Sequence, residues 1–278
     1  MNMNGKAALK LATHLLLAII GLIWIYPFIW MLSSSLKTQS EFVSGGLKLL
    51  PEIPQWHNYE RAWQVAHFDL YFMNTVIFTV SVVIIVVIVS SLMGYSLGRV
   101  DFPGRKLLMG LFVVTMFIPK GYTIIPVYLL IKWIGLLNTM PGLILVESSG
   151  SHVIFILLFS AFFAVIPKEL EECAEIDGCG FVQTFFKVIL PLSMPIIATV
   201  AIVQFIYSWN SFFVPLVFTL GASELKTLAV GMYNFSSDLD IDYTGMAAGA
   251  SIALIPIVTV FIFFQRYFIE GISGSVKG

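Results

Sequence analysis

The chain has 278 residues, of which 58% are hydrophobic and 11% charged, with a mean hydropathy of +0.93 and a net charge of −1. A soluble globular domain carries about 25% charged residues, so this composition lacks the charge to cover a water-facing surface. The near-neutral balance excludes the basic footprint of a nucleic-acid partner, and no Cys/His cluster has metal-ligand spacing.

The apolar residues fall into long blocks, and about 20 such residues cross a bilayer core as a helix. Six blocks reach or approach that length: residues 11–31, 72–97, 107–127, 142–166, 191–220 and 244–265. The first follows Lys6 and Lys10. It is longer than a signal-peptide apolar region and no A-x-A site follows it, so a retained helix is expected. The second and fifth blocks contain no charge. The third is interrupted by Pro119, Lys120 and Gly121 and reads as a kinked span followed by an interfacial helix near residues 128–137. The reading is therefore an all-α polytopic membrane protein with six transmembrane helices.

Lys and Arg in the loops set the orientation. With the N-terminus inside, the inner segments hold nine of them: Lys6, Lys10, Arg99, Arg105, Lys106, Lys168, Lys187, Arg266 and Lys277. The outer segments hold six, spread over longer loops. Both termini are accordingly expected in the cytoplasm. The outer loop 32–70 is long, polar and aromatic. The outer sequence SSDLDIDY at 236–243 is an acidic patch, either a solvated loop or a docking surface.

The fourth block contains Glu147 and His152, and ionisable groups inside a membrane usually face a cavity. Glu147 is expected roughly 8 Å below the outer surface at 1.5 Å per residue. A carboxylate there accepts from solute hydroxyls or makes a structural hydrogen bond between spans. Trp209 and Asn210 in the fifth block carry the same two readings, and all four residues are candidates for a substrate pathway.

The most informative stretch is 166–195, IPKELEECAEIDGCGFVQTFFKVILPLSMP, which contains the longest inner loop. Pro167 suits a helix start, and Glu169, Glu171 and Glu172 suit the positive end of a helix dipole. Gly178 after Asp177 suits a left-handed helix stop. A second helix with an aromatic face is expected over 181–189, and Pro191 marks the return to the membrane. Leu170, Cys173, Ala174 and Asp177 give the first helix a small, mostly apolar face. That face rests either on lipid headgroups or on another protein. The loop is acid-rich, anionic headgroups repel it, and a basic protein partner fits better.

This stretch resembles the EAA loop of ABC importer permeases, a pattern of E-A-A, three residues, G, nine residues and I-x-L-P. Here Glu172, Cys173, Ala174, Gly178, Val188, Ile189, Leu190 and Pro191 stand at that spacing, with Cys173 for Ala and Val188 for Ile. The run ECAEIDGC, including Ile176 and Asp177, is similar to the longer form in sugar-importer permeases. The C-terminal FQRYFIEGISGSVKG resembles the tail of the smaller permease of maltose-type importers. Weaker likenesses include GYSLGRVDFPGR at 94–105 and SWNSFFVPL at 208–216.

The resemblance implies an ABC type I permease fold. It divides the chain into an N-terminal helix with its outer loop (1–71), a permease core (72–266) with the coupling loop at 167–191, and a cytoplasmic tail (267–278). It implies a cell-membrane subunit that imports a sugar or oligosaccharide. Its partners would be a second homologous permease, two ATPase subunits, an extracytoplasmic solute-binding protein and membrane lipid. Glu172, Cys173, Ala174, Ile176, Asp177, Gly178, Leu190 and Pro191 would contact the ATPase. This chain lacks GxxxxGK[ST], so ATP and Mg would bind the partner ATPase and no cofactor would bind here. Motifs of membrane enzymes are absent from the sequence. The remaining alternatives are an ABC permease for a non-sugar solute and an ion-coupled secondary transporter, which would need ionisable groups in broken helices.

Overall fold

The computed structural model describes residues 3–46, 48–65, 67–118, 120–150, 152–236 and 241–274. These form α-helices joined by short turns, with no strand among the described residues beyond an isolated bridge between Ser236 and Ile241. In chain order the first are α1 (Met3–Ser34), α2 (Gln39–Ser44), α3 (His57–Val65), α4 (Phe68–Arg99) and α5 (Arg105–Thr115). Next come α6 (Lys120–Trp133), α7 (Met140–Ser149), α8 (His152–Ala164), α9 (Glu169–Ile176) and α10 (Phe181–Thr184). The last are α11 (Leu190–Leu192), α12 (Met194–Trp209), α13 (Phe213–Phe218), α14 (Leu228–Gly231) and α15 (Tyr243–Gly274).

Three stretches among the described residues are long and apolar enough to cross a membrane: Leu9–Ser34, Phe68–Arg99 and Tyr243–Arg266. Two bent pairs, Met140–Ser149 with His152–Ala164 and Phe181–Leu192 with Met194–Trp209, bring the number to five when each counts as one span. The N-terminal stretch is apolar around its whole circumference, and Trp24 is 75% exposed and Leu22 67% exposed. Such a surface is unfavourable in water and suits lipid. Proline is tolerated inside α1 (Pro27) and α15 (Pro256), as in other apolar spans.

Two of the expected blocks are divided. The third is split between α5 and α6, and Pro119 lies outside the described residues. At 11 residues α5 is too short to span alone. No separate interfacial helix begins at Tyr128, because α6 runs unbroken through Pro126 and Tyr128 to Trp133. The chain then turns at Gly135 and Asn138, whose φ angles are 75° and 58°. The fifth block starts earlier than expected and stops at Trp209. There Asn210 donates both its backbone N–H (3.2 Å) and its side-chain Nδ2 (2.8 Å) to the Ile206 carbonyl. A short polar side chain that competes in this way ends a helix. Helix α13 follows as a separate short piece.

The chain forms two compact units. The first comprises Met1–Asp69 and Gly231–Ile255. Within it the segment between α1 and α4 is ordered by buried polar contacts. Asn58 Nδ2 donates to the carbonyls of Ser35 and Lys37, each at 2.8 Å. Lys37 is 1% exposed and its ammonium donates to the Lys48 carbonyl, which satisfies a cation that would otherwise be costly to bury. Arg61 Nη2 reaches Asp242 Oδ1 at 2.9 Å, so the acidic patch is partly ion-paired; residues 237–240 lie outside the described set. Phe42 stacks on Tyr243 at 5.1 Å.

The second unit comprises Leu70–Val230 and Pro256–Gly278. Its core joins Phe78, Val82 and Val86 of α4 to Phe155, Phe159 and Phe163 of α8. Both sets follow i, i+4 spacing, which keeps one face of each helix apolar. Phe185, Ile189, Ile196 and Val200 close the same core. Helices α4 and α8 approach closely because Gly94 and Gly98 face α8. A Cβ at Gly94 would lie 2.4 Å from Phe159 Cβ, and one at Gly98 would lie 2.7 Å from the Ser160 carbonyl oxygen. Small residues four apart allow such backbone proximity in apolar surroundings.

Candidate coupling loop and cavity

The segment singled out in the sequence folds as a helix–turn–helix. Glu169, Glu171 and Glu172 occupy the first turn of α9, where the dipole favours carboxylates. The helix starts at Glu169, two residues after Pro167. Its end is a Schellman motif. Gly178 N–H donates to the Glu175 carbonyl and Cys179 N–H to the Ala174 carbonyl, each at 2.9 Å. Gly178 has φ 82°, the left-handed conformation that this motif requires and that favours glycine.

The second helix is longer than expected. It runs Phe181–Leu192, with π geometry over Phe185–Ile189 and a Leu190 N–H to Phe185 carbonyl bond that marks the wider turn. Pro191 lacks an N–H and its ring crowds the preceding turn, so a widened turn relieves the clash. The return to the membrane is a 77° bend between Leu192 and Met194, just past Pro191.

Of the proposed coupling residues, Ala174 is buried, while Glu172, Cys173, Ile176, Asp177 and Gly178 are exposed. Leu170 (39%) and Ile176 (85%) leave apolar surface uncovered on this helix. Leu190 is half-buried and Pro191 exposed.

The start of the loop is fastened by residues that sequence reasoning did not single out. Arg99, the last residue of α4, has a side chain only 4% exposed. Its Nε lies 3.0 and 3.1 Å from the two carboxylate oxygens of Glu171, and its Nη2 lies 2.8 Å from Oε2. Nη1 donates to the Ile166 carbonyl at 2.7 Å, and Nη2 lies 3.4 Å from the Pro167 carbonyl. Tyr95, one turn earlier, donates its hydroxyl to Glu171 Oε1 at 2.9 Å. The Tyr95 ring packs against Phe163, Phe181 and Phe185 at centroid distances of 5.6, 5.1 and 5.0 Å. The available signal was the i, i+4 spacing of Tyr95 and Arg99, which puts both on one helix face.

The four pathway candidates do not converge. Glu147, half-buried at the end of α7, accepts from Ser211 Oγ at 3.0 Å. It lines a cavity of about 610 Å³ together with Thr115, Thr123, Ser149 and Tyr207. His152 Nδ1 lies 3.2 Å from Ser90 Oγ of α4. Trp209 is buried between Phe72 (5.8 Å) and Phe205 (5.4 Å). Asn210 is exposed and engaged in capping α12. Tyr207, 61% exposed and lining the same cavity as Glu147, was not singled out in the sequence, where it read as one more aromatic in an apolar block.

Comparison with known proteins places this geometry. Residues 90–274 match the family described as "Binding-protein-dependent transport system inner membrane component". The diacetylchitobiose uptake system permease protein of Streptomyces coelicolor is 35% identical over 266 residues, covering 95% of this chain and 86% of that protein. The melibiose/raffinose/stachyose import permease protein of Bacillus subtilis is 33% identical over 266 residues, covering 95% of each. A chain of a bacterial ABC transporter involved in the import of the acidic polysaccharide alginate superposes with a TM-score of 0.82 at 26% identity, covering 96% of this chain and 99% of that one. The chain therefore belongs to the binding-protein-dependent transport system inner membrane components, the integral-membrane permeases of ABC importers.

Proposed function

We propose that this chain is one of two permease subunits of an ATP-driven importer that moves a sugar or oligosaccharide into the cytoplasm by alternating access. The observation that carries the reading is the EAA-type loop, folded as a short helix closed by Gly178, with Leu170 and Ile176 uncovered outside the apolar spans. Exposed apolar side chains in that position call for a protein partner. The relatives named above, permeases for oligosaccharide uptake, support a carbohydrate substrate.

In this reading both termini are cytoplasmic and six passages cross the cell membrane. The third passage would be built from the α5–α6 region. The 1–71 segment serves as N-terminal helix and outer loop, 72–266 as the permease core, and 267–278 as the cytoplasmic tail. The coupling loop 167–191 seats on one of two ATPase subunits, with Glu172 against a basic group there. The second ATPase pairs with a second, homologous permease, and an extracytoplasmic binding protein delivers the solute. ATP and Mg reside on the ATPases, whose closure pushes the loop and switches access. Glu147 and Tyr207 line the passage near its outer side.

Reconstitution tests this. Proteoliposomes with this chain, the second permease, the ATPase and the binding protein should take up sugar only with ATP. Uptake by the purified chain without ATP overturns the reading. A binding protein that takes up an amino acid or peptide in calorimetry would move the assignment to a non-sugar solute.

A further inference from the structure

We propose that Arg99 is the positioning residue that locks the coupling helix to the membrane core, so that displacement of α9 moves α4 and α8 instead of bending the loop. The inference rests on the importer reading and adds to it the element that carries the force.

A loop that transmits a push must be stiff, and loops are ordinarily the softest part of a fold. Here one buried guanidinium joins three elements at once. It is the terminal residue of α4, it donates to the Ile166 carbonyl just past the end of α8, and it grips both oxygens of Glu171 in the first turn of α9. A planar guanidinium satisfies several acceptors in fixed geometry, which a lysine ammonium does not. Carbonyls at a helix exit lack intrahelical partners, so Arg99 also completes the end of α8. Tyr95 adds a hydroxyl hydrogen bond to the same carboxylate and braces it with its ring against Phe163 and Phe185. Directly above, Gly94 and Gly98 bring α4 against α8 with no room for a side chain. The two helices and the first turn of α9 thus form one stiff body. Glu172, the next residue, remains exposed for the ATPase. Two adjacent acids in one turn divide the work: Glu171 holds the helix to its own chain and Glu172 faces outward.

The test uses the assembled complex with Arg99→Gln, Arg99→Lys, Glu171→Gln and the double variant Arg99→Gln/Glu171→Gln. Hydrogen exchange of residues 166–176 should rise about tenfold in Arg99→Gln, while the core of α8 keeps its protection. ATPase association should persist and ATP turnover should stay within about twofold, while uptake falls about tenfold, raising the ATP consumed per sugar. Arg99→Lys should rescue uptake only in part, and the double variant should be no worse than the worse single one, since the two residues act through one contact. Unchanged exchange at 166–176 overturns the proposal. So does normal uptake despite raised exchange, or loss of ATPase association and uptake together. Wild-type uptake that needs no ATP would instead sink the importer reading, and the exchange measurement would still decide whether Arg99 locks the loop.

Discussion

Cys179 donates its backbone N–H to the Ala174 carbonyl at 2.9 Å, reaching across Gly178, and this contact sets where α9 stops. The bond forms only because Gly178 is left-handed at φ 82°. A Cβ there would meet nothing within 4 Å of the chain itself. Gly178→Ala should therefore cost about 1 kcal/mol of local stability through backbone strain alone. Gly178→Asp adds bulk and charge on the exposed surface that the importer reading sets against the ATPase. It should abolish uptake while insertion stays normal, and Glu172→Lys should do the same by reversing a partner-facing charge. Pull-down of the ATPase by each variant checks this. Retained association with normal uptake in both would remove this loop from the coupling role.

A second prediction concerns the α4–α8 seam. Gly94 and Gly98 have no space for a methyl group, since a Cβ at either would fall 2.4 and 2.7 Å, respectively, from α8 atoms. Overpacking of this kind typically costs about 1–3 kcal/mol. Gly94→Ala and Gly98→Ala should each lower the melting temperature of the purified complex. Gly110→Ala is the control, because its Cβ would meet nothing within 4 Å. Equal melting temperatures for all three would show that the seam yields.

Topology gives a third. Ser44→Cys, in the outer loop, should react with an impermeant thiol reagent in sealed cells once the native cysteines are replaced. Ser273→Cys should react only after permeabilisation. The Lys and Arg asymmetry of the loops is the basis. Labelling of Ser273→Cys in sealed cells would invert the orientation.

The sequence made some of this legible and concealed the rest for physical reasons. Long charge-free blocks announced apolar helices, and the run from Pro167 to Pro191 announced two helices around a glycine turn, because both are local patterns. Gly178 was readable for the same reason: a helix stop depends on its own few residues. The break at Asn210 was hidden inside an apolar block, since one amide among hydrophobic residues carries little weight in an average over a window. Arg99 looked like one more inner-loop cation, counted for orientation. Its grip on Glu171 joins residues 72 apart in sequence, and no local pattern reports such a pair. Trp209 was attractive as a pathway aromatic, yet it is 4% exposed between two rings, a placement decided by tertiary packing.

The last prediction separates passage from scaffold at Glu147. Its carboxylate accepts from Ser211 at 3.0 Å and lines a cavity of about 610 Å³ with Tyr207, Thr115 and Thr123. A carboxylate and an aromatic ring lining one cavity suit a ligand with hydroxyl donors on its edge and C–H groups on its face. If sugar hydroxyls reach this carboxylate during transport, Glu147→Gln keeps its shape and removes its charge. Charge-assisted hydrogen bonds contribute about 1.5–3 kcal/mol, so uptake at limiting sugar should fall by roughly ten- to a hundredfold. Tyr207→Ala should also lower it, and neither should affect pull-down of the ATPase. Ser211→Ala is the discriminating variant. It removes the structural bond but leaves the carboxylate in the cavity, so it should lower the melting temperature slightly and leave uptake nearly intact. If Ser211→Ala and Glu147→Gln instead reduce stability and uptake in parallel, Glu147 is a tie between elements and the passage lies elsewhere.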